Sequence, residues 1–247
     1  MQARIPLTKA KPKMNDELQQ TLEGSGGADF RVRVAREKRE RMRKRLMSAA
    51  LDVFLLSPRT KPPVIEDVIL KAGVSRGTFY KYYDSLEEVL TELGQLMADE
   101  MIGTYERVFA GLQDPAARVV AGPLISLTHA GMQPRRAEFT VRVDYVDYLS
   151  RSNRLMSIVT CCLREAKASG VVQFESLDVA TDYIIGATIQ GSRRITHEQK
   201  TSDAYRHELV VMIMRGFGMQ PEAASQAIEI ALAELNLHAA DLPWWQT

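Results

Sequence analysis

The sequence predicts an all-α protein with a helix-turn-helix near its N terminus. Apolar residues recur at three- and four-residue steps along most of the 247-residue chain, the spacing of one face of a helix. Glycine and proline fall between these periodic stretches. No alternation of strands with helices is present to supply a parallel sheet.

Residues 1–34 read as a flexible basic arm, expected to be disordered, with Pro6, Pro12 and the GSGG stretch at 24–27. A helix is expected from about 35 to 57, where Met42, Leu46, Ala49, Ala50, Val53 and Phe54 form one stripe. SPRTKPP (57–63) ends it, since Pro62 and Pro63 cannot continue a helix but fit the first turn of the next. In VIEDVILKA (64–72) the apolar positions are 64, 65, 68, 69 and 70, which is a helical pattern and not an alternating one. DSLEEVLTELGQLMADEMIGTYERVFAGL (84–112) reads as one long helix capped by Asp84 or Ser85, with Glu87 and Glu88 in its first turn. Beyond it, helices are expected at 115–130 (kinked near Pro123), 135–150, 152–169, 178–198, 202–217 and 221–237. The tail tryptophans, Trp244 and Trp245, are expected to pack back on the body.

The segment AGVSRGTFYKYYD (72–84) admits two readings. Gly73-Val74-Ser75-Arg76-Gly77 fits the G-x-S-x-G elbow of a serine hydrolase, with Ser75 as nucleophile. That elbow needs a strand before the first glycine, and the preceding periodicity is helical. In the other reading Gly73 supplies a tight turn and Ser75 caps the next helix. Val74 and Phe79 then occupy the two positions of a hydrophobic staple. Phe79 and Tyr83 share the inward face, while Gly77, Thr78, Tyr80 and Lys81 project outward. Hydroxyls, an amine and an aromatic ring beside a glycine suit a DNA groove.

Charge agrees with the second reading. The net charge of +1 conceals eighteen basic against nine acidic residues in 1–81, and fourteen against twenty-two in 82–247. The densest stretch, 31–45, has nine basic and two acidic residues and adjoins the helix-turn-helix. No apolar run reaches the ~20 residues of a membrane span, and the N terminus lacks the apolar core of a secretory signal, so a cytoplasmic protein is expected. Cys161 and Cys162 are adjacent, which predicts two reduced thiols. No metal-ligand spacing, phosphate loop or dinucleotide fingerprint is found, so no metal, cofactor or catalytic residue is expected.

On RLMSAALDVF (45–54) and VIEDVILKAGVSRGTFYKYYDSLEEVL (64–90) the chain resembles the TetR family of bacterial transcriptional repressors. The resemblance covers roughly residues 40–95. It implies a helix-turn-helix DNA-binding domain at 35–84, made of three helices, and a helical effector-binding and dimerisation domain at 85–247. The implied function is a ligand-responsive repressor that binds a palindromic operator in double-stranded DNA as a homodimer, with a recognition helix at about 75–82. Carried over, the DNA contacts are Ser75, Arg76, Thr78, Tyr80, Lys81 and Tyr82, with Arg43 a phosphate partner. Val64-Ile65 and Leu86 depart from the family's usual phosphate-contacting residues, and the basic residues of 31–45 are candidates to replace them.

The effector pocket implied by the resemblance would be lined by Met97, Met101, Tyr105, Phe109, Phe139, Tyr145 and Met156, with His129 as a polar contact. The methionines favour an apolar ligand. Dimerisation is expected through Tyr183, Gly186, Ala187, Gly191, Val211 and Met214, where small residues beside large ones allow close helix approach. The alternatives are a helical interaction protein with a degenerate DNA head and, last, a serine hydrolase using Ser75.

Overall fold

The computed structural model describes residues 14–58, 60–142, 153–198 and 203–245. Every regular element among them is helical: α1 (Met14–Leu56), α2 (Ile65–Ala72), α3 (Arg76–Tyr80), α4 (Leu86–Gly111), α5 (Pro115–Met132), α6 (Pro134–Arg142), α7 (Asn153–Ala168), α8 (Leu177–Glu198), α9 (Asp203–Gly216) and α10 (Pro221–Leu237), followed by a short 3-10 turn at Ala239–Asp241. No helix is long and apolar enough to cross a membrane among the described residues.

The boundaries follow local chemistry. The Asp67 carboxylate accepts from the Val64 N–H at 3.1 Å to open α2, and Gly73 closes it at φ +60°, ψ +46°, a left-handed conformation that glycine adopts without steric cost. Ser85 caps α4 by accepting from the Glu88 N–H at 3.1 Å, and Asp114 caps α5 by accepting from the Ala116 N–H at 3.1 Å. α5 runs through Pro123 as one helix.

The larger departure is α1. Its helix reaches back to Met14, across residues assigned from sequence to a disordered arm that ends at 34. Helical hydrogen bonds are local and need no packed neighbour, and no proline interrupts the chain between Pro12 and Pro58. From Phe30 to Arg41 the helix is exposed on every side, so packing begins only at Met42.

Two buried clusters organise the chain. The first joins α1, α2, α3 and the start of α4 through Leu46, Ala50, Val53, Val68, Phe79, Tyr83 and Val89. The second fills the body around α5, which is buried on nearly every side. Trp244 lies in this second cluster, its Nε1 donating to Thr104 Oγ1 at 2.9 Å, and Trp245 packs beside it. The expected return of the tail onto the body is thus observed.

Besides α4, which runs from the first cluster into the second, one short helix bridges them. α6 has two working faces. Arg135, Phe139 and Arg142, at helical spacing, grip the C-terminal end of α1. Arg142 donates to the carbonyls of Leu55 (2.7 Å) and Ser57 (2.6 Å). Its guanidinium lies 4.9 Å from the Phe54 ring centroid, and Phe139 meets that ring edge-on at 5.2 Å. Arg135 pairs with Asp52, which Lys71 also holds at 3.1 Å. The opposite face, Ala137, Thr140 and Val141, lines a cavity in the body.

Candidate nucleic-acid interface and ligand cavity

The order of elements around Ser75 removes the elbow context. α2 is a helix, and Gly73-Val74 turns the chain into α3. Ser75 has ordinary extended backbone, φ −78° and ψ 157°, and its Oγ accepts from the Thr78 N–H at 3.1 Å. The Thr78 hydroxyl lies 2.9 Å from the same oxygen. Ser75 is therefore an N-cap with its oxygen already engaged. Phe79 is fully buried and Val74 packs against the same cluster, as the staple requires.

With that face turned inward, Arg76, Gly77, Tyr80 and Lys81 are exposed, Thr78 and Tyr82 half-buried. A Cβ added at Gly77 would meet no protein atom within 4 Å, so the space beside it is open. Arg76 pairs with Glu66 at 3.1 Å and lies 5.8 Å from the centroid of the Tyr80 ring. Both members of that ion pair are mostly exposed, so it is weak and open to exchange for a phosphate. Tyr82 packs against the head cluster and is a supporting residue first.

Arg43 departs most from its expected place. Its guanidinium pairs with Glu92 of α4 and lies 5.1 Å from the Tyr83 ring centroid. The Arg43 contact holds the Glu92 carboxyl below its ordinary range. This arginine fastens α1 to α4, and its basic neighbours in sequence, Arg41, Lys44 and Arg45, are exposed.

The body encloses a cavity of about 230 Å³ between α4, α5, α6, α7 and α8. Of the residues expected to line it, Met97, Met101, Tyr105, Phe109 and His129 do. Phe139 does not: it is 1% exposed and turned onto Phe54 at the α1–α6 contact. Met156 is half-buried and off the lining, and Tyr145 lies outside the described residues. The α4 contributors run from Met97 to Phe109, twelve residues or ~18 Å along a helix, so the cavity is elongated.

Beyond Tyr105 and His129, the cavity has polar lining and one whole wall that the sequence does not signal. α8 supplies Ile184, Ile185, Thr188, Ile189, Ser192 and Arg193, and α5 supplies Arg118 and Ser126. The α8 stripe in which dimer contacts are expected thus also supplies a cavity wall. Tyr105 and Ser126 share a 2.5 Å hydroxyl–hydroxyl bond. Burial foremost, then the Arg136 charge, lowers the His129 pKa to about 4, so its ring is neutral at neutral pH. Cys162 also lines the cavity; burial raises its thiol to about 11, which leaves it unreactive. Both cysteines are free, as their adjacency predicts.

The residues expected at a dimer contact divide. Gly186 and Tyr183 are exposed, although the Tyr183 ring leans edge-on against Phe217 at 5.2 Å. Ala187 and Val211 are half-buried against the body core. Met214 is fully buried in that core and cannot reach a partner. Gly191 is buried too: a Cβ there would overlap Leu209 and lie 2.9 Å from Leu127, so this glycine serves contacts within the chain. Val179 (67% exposed) and Met212 (52%) are the large apolar side chains that α8 and α9 leave in solvent beside Tyr183.

No protein-family model and no curated protein matches the chain. Solved structures do match in fold. A γ-butyrolactone receptor, an ArpA-like protein, superposes with a TM-score of 0.59 at 12% identity, over 81% of this chain and 99% of that one. The fatty acid degradation regulator FadR of Bacillus halodurans gives 0.59 at 15% identity, over 72% and 97%. A provisionally assigned TetR-family transcriptional regulator from Syntrophomonas wolfei gives 0.58 at 17% identity, over 72% and 94%. The chain therefore shares the all-helical fold of the TetR-family transcriptional regulators.

Proposed function

We propose that this protein is a ligand-responsive transcriptional repressor that binds operator DNA as a homodimer. The observation that carries the reading is α6: one face lines the cavity and the other grips α1 of the helix-turn-helix head. A small molecule that prefers one arrangement of the cavity walls thereby biases the position of the head; one with equal affinity for both arrangements would change nothing. In the dimer, two α3 helices enter successive major grooves about one turn, ~34–36 Å, apart. Arg76, Thr78, Tyr80 and Lys81 face base edges and flanking phosphates, and the exposed basic face of α1 adds phosphate contacts. The dimer forms through α8 and α9, with Val179, Tyr183, Gly186 and Met212 as the apolar centre.

Kinship of fold supports this reading and runs against an enzyme, since the structures of like fold are named as regulators and a receptor. Selection of random duplexes by the purified protein, at near-physiological salt with excess competitor DNA, tests it. Enrichment of a palindrome with half-sites one turn apart is expected. A folded dimer that enriches no sequence would instead favour the helical interaction protein.

A further inference from the structure

The polar groups of the cavity are uneven in sign. Two arginines, Arg118 and Arg193, line it, and no aspartate or glutamate does among the described residues. Each arginine has a buried Nε with no hydrogen-bond partner. Their charges differ in what offsets them. Arg118 pairs with Glu165 at 3.1 Å and lies 6.0 Å from the Phe109 ring centroid. Arg193 has no carboxylate within ion-pair distance among the described residues, and its guanidinium is half-buried at the cavity wall. A partly buried charge and an unfilled N–H are both costly, and an incoming anion relieves both.

The surroundings fit one end of a ligand. Gly191 lets α8 close onto Leu127 of α5, and Ser126 of α5 and Ser192 of α8 line the same cavity as Arg193. Much of the remaining lining, Ile158, Val159 and Ile184 among it, is apolar.

Resting on the reading of this cavity as the effector site, we infer that the effector is an apolar small molecule bearing one acidic group, whose negative charge is received by Arg193. The planar guanidinium fork suits a carboxylate through two parallel N–H···O bonds. Arg118, already neutralised by Glu165, lies along the body of the ligand.

The test uses three probes of one shape and different charge: 3-phenylpropanoate, 3-phenylpropan-1-ol and 3-phenylpropylamine. Trp244 is a built-in reporter, since its ring meets His129 of the lining edge-on at 5.2 Å and Trp245 is the only other tryptophan. Affinities are read by tryptophan emission and by calorimetry at neutral pH. The carboxylate is expected to bind at least about tenfold more tightly than the alcohol, and the amine more weakly than either. Arg193→Gln should bring the carboxylate down to the alcohol's affinity while leaving the alcohol unchanged. Arg193→Lys should keep part of the preference, and Arg118→Gln most of it. Wild-type protein that binds alcohol as tightly as carboxylate overturns the inference, whether or not the variants fold. So does a preference that survives in folded Arg193→Gln. Binding of none of the three at millimolar concentration would sink the effector-site reading itself.

Discussion

Ser75 shows how a side chain's role depends on the element before it. Flanked by glycines it matches a nucleophile motif, yet its oxygen is occupied by the Thr78 N–H because a helix precedes Gly73. That much was legible, since the three- and four-residue periodicity of 64–72 excludes the strand. Arg43 was not legible: one basic residue among nine gives no sign that it will face Glu92, 49 positions away. His129 carries a prediction at this scale. Burial holds its pKa at about 4, against an ordinary value of about 6.5, so as pH falls the unfolded chain takes up a proton that the folded protein refuses. Stability should decrease by about 2 kcal/mol between about pH 6.5 and 5 from this residue alone, and His129→Gln should remove that part of the slope. The held-down carboxylates contribute at lower pH. Burial would raise Asp52, but Arg135 and Lys71 outweigh it, while the Arg43 bond lowers Glu92; both lose their contributions as pH falls through these depressed values. Urea unfolding of both proteins across this range is the check. An unchanged slope in the variant would show that His129 is not kept neutral.

Among the elements, α6 touches both cavity and head, as α4 does through Met97, and the proposed function gives α6 the coupling role. Its nine residues place two cavity-lining positions, Thr140 and Val141, directly before Arg142, whose bonds end on α1. Arg142→Ala removes those bonds and leaves the cavity wall intact. It is expected to cost about 1–3 kcal/mol of stability and to speed hydrogen exchange at residues 53–57. Ligand affinity should be retained, while operator affinity should no longer respond to ligand. Retained response would show that another path links body and head. The sequence reading gave α6 a candidate ligand contact in Phe139 and no coupling role. Phe139 belongs instead to the α1–α6 contact, because periodicity reports that a side chain is buried and not which neighbour buries it.

For the whole molecule, the proposed function assigns the basic N-terminal third to DNA and the exposed apolar face of α8 and α9 to a second copy. Replacing Val179 and Met212 together by glutamate should leave the fold intact, since both side chains are already largely in solvent. Sedimentation should show a monomer, and operator affinity should fall by orders of magnitude as the two half-sites come to be bound separately. A dimer that persists would move the interface elsewhere.

The sequence by itself determined the helical class, nearly every helix boundary after residue 56, the turn at Gly73 and the capping role of Ser75. These are consequences of local periodicity and of groups three or four residues apart. Only the tertiary structure decided that Met214 and Gly191 look inward, that Arg43 and Phe139 serve joints, and that Arg193 faces a cavity. Each of those outcomes rests on which helices become neighbours. A helix's apolar stripe says how much of it is to be buried, and the partner that buries it is chosen by packing across distant segments of the chain.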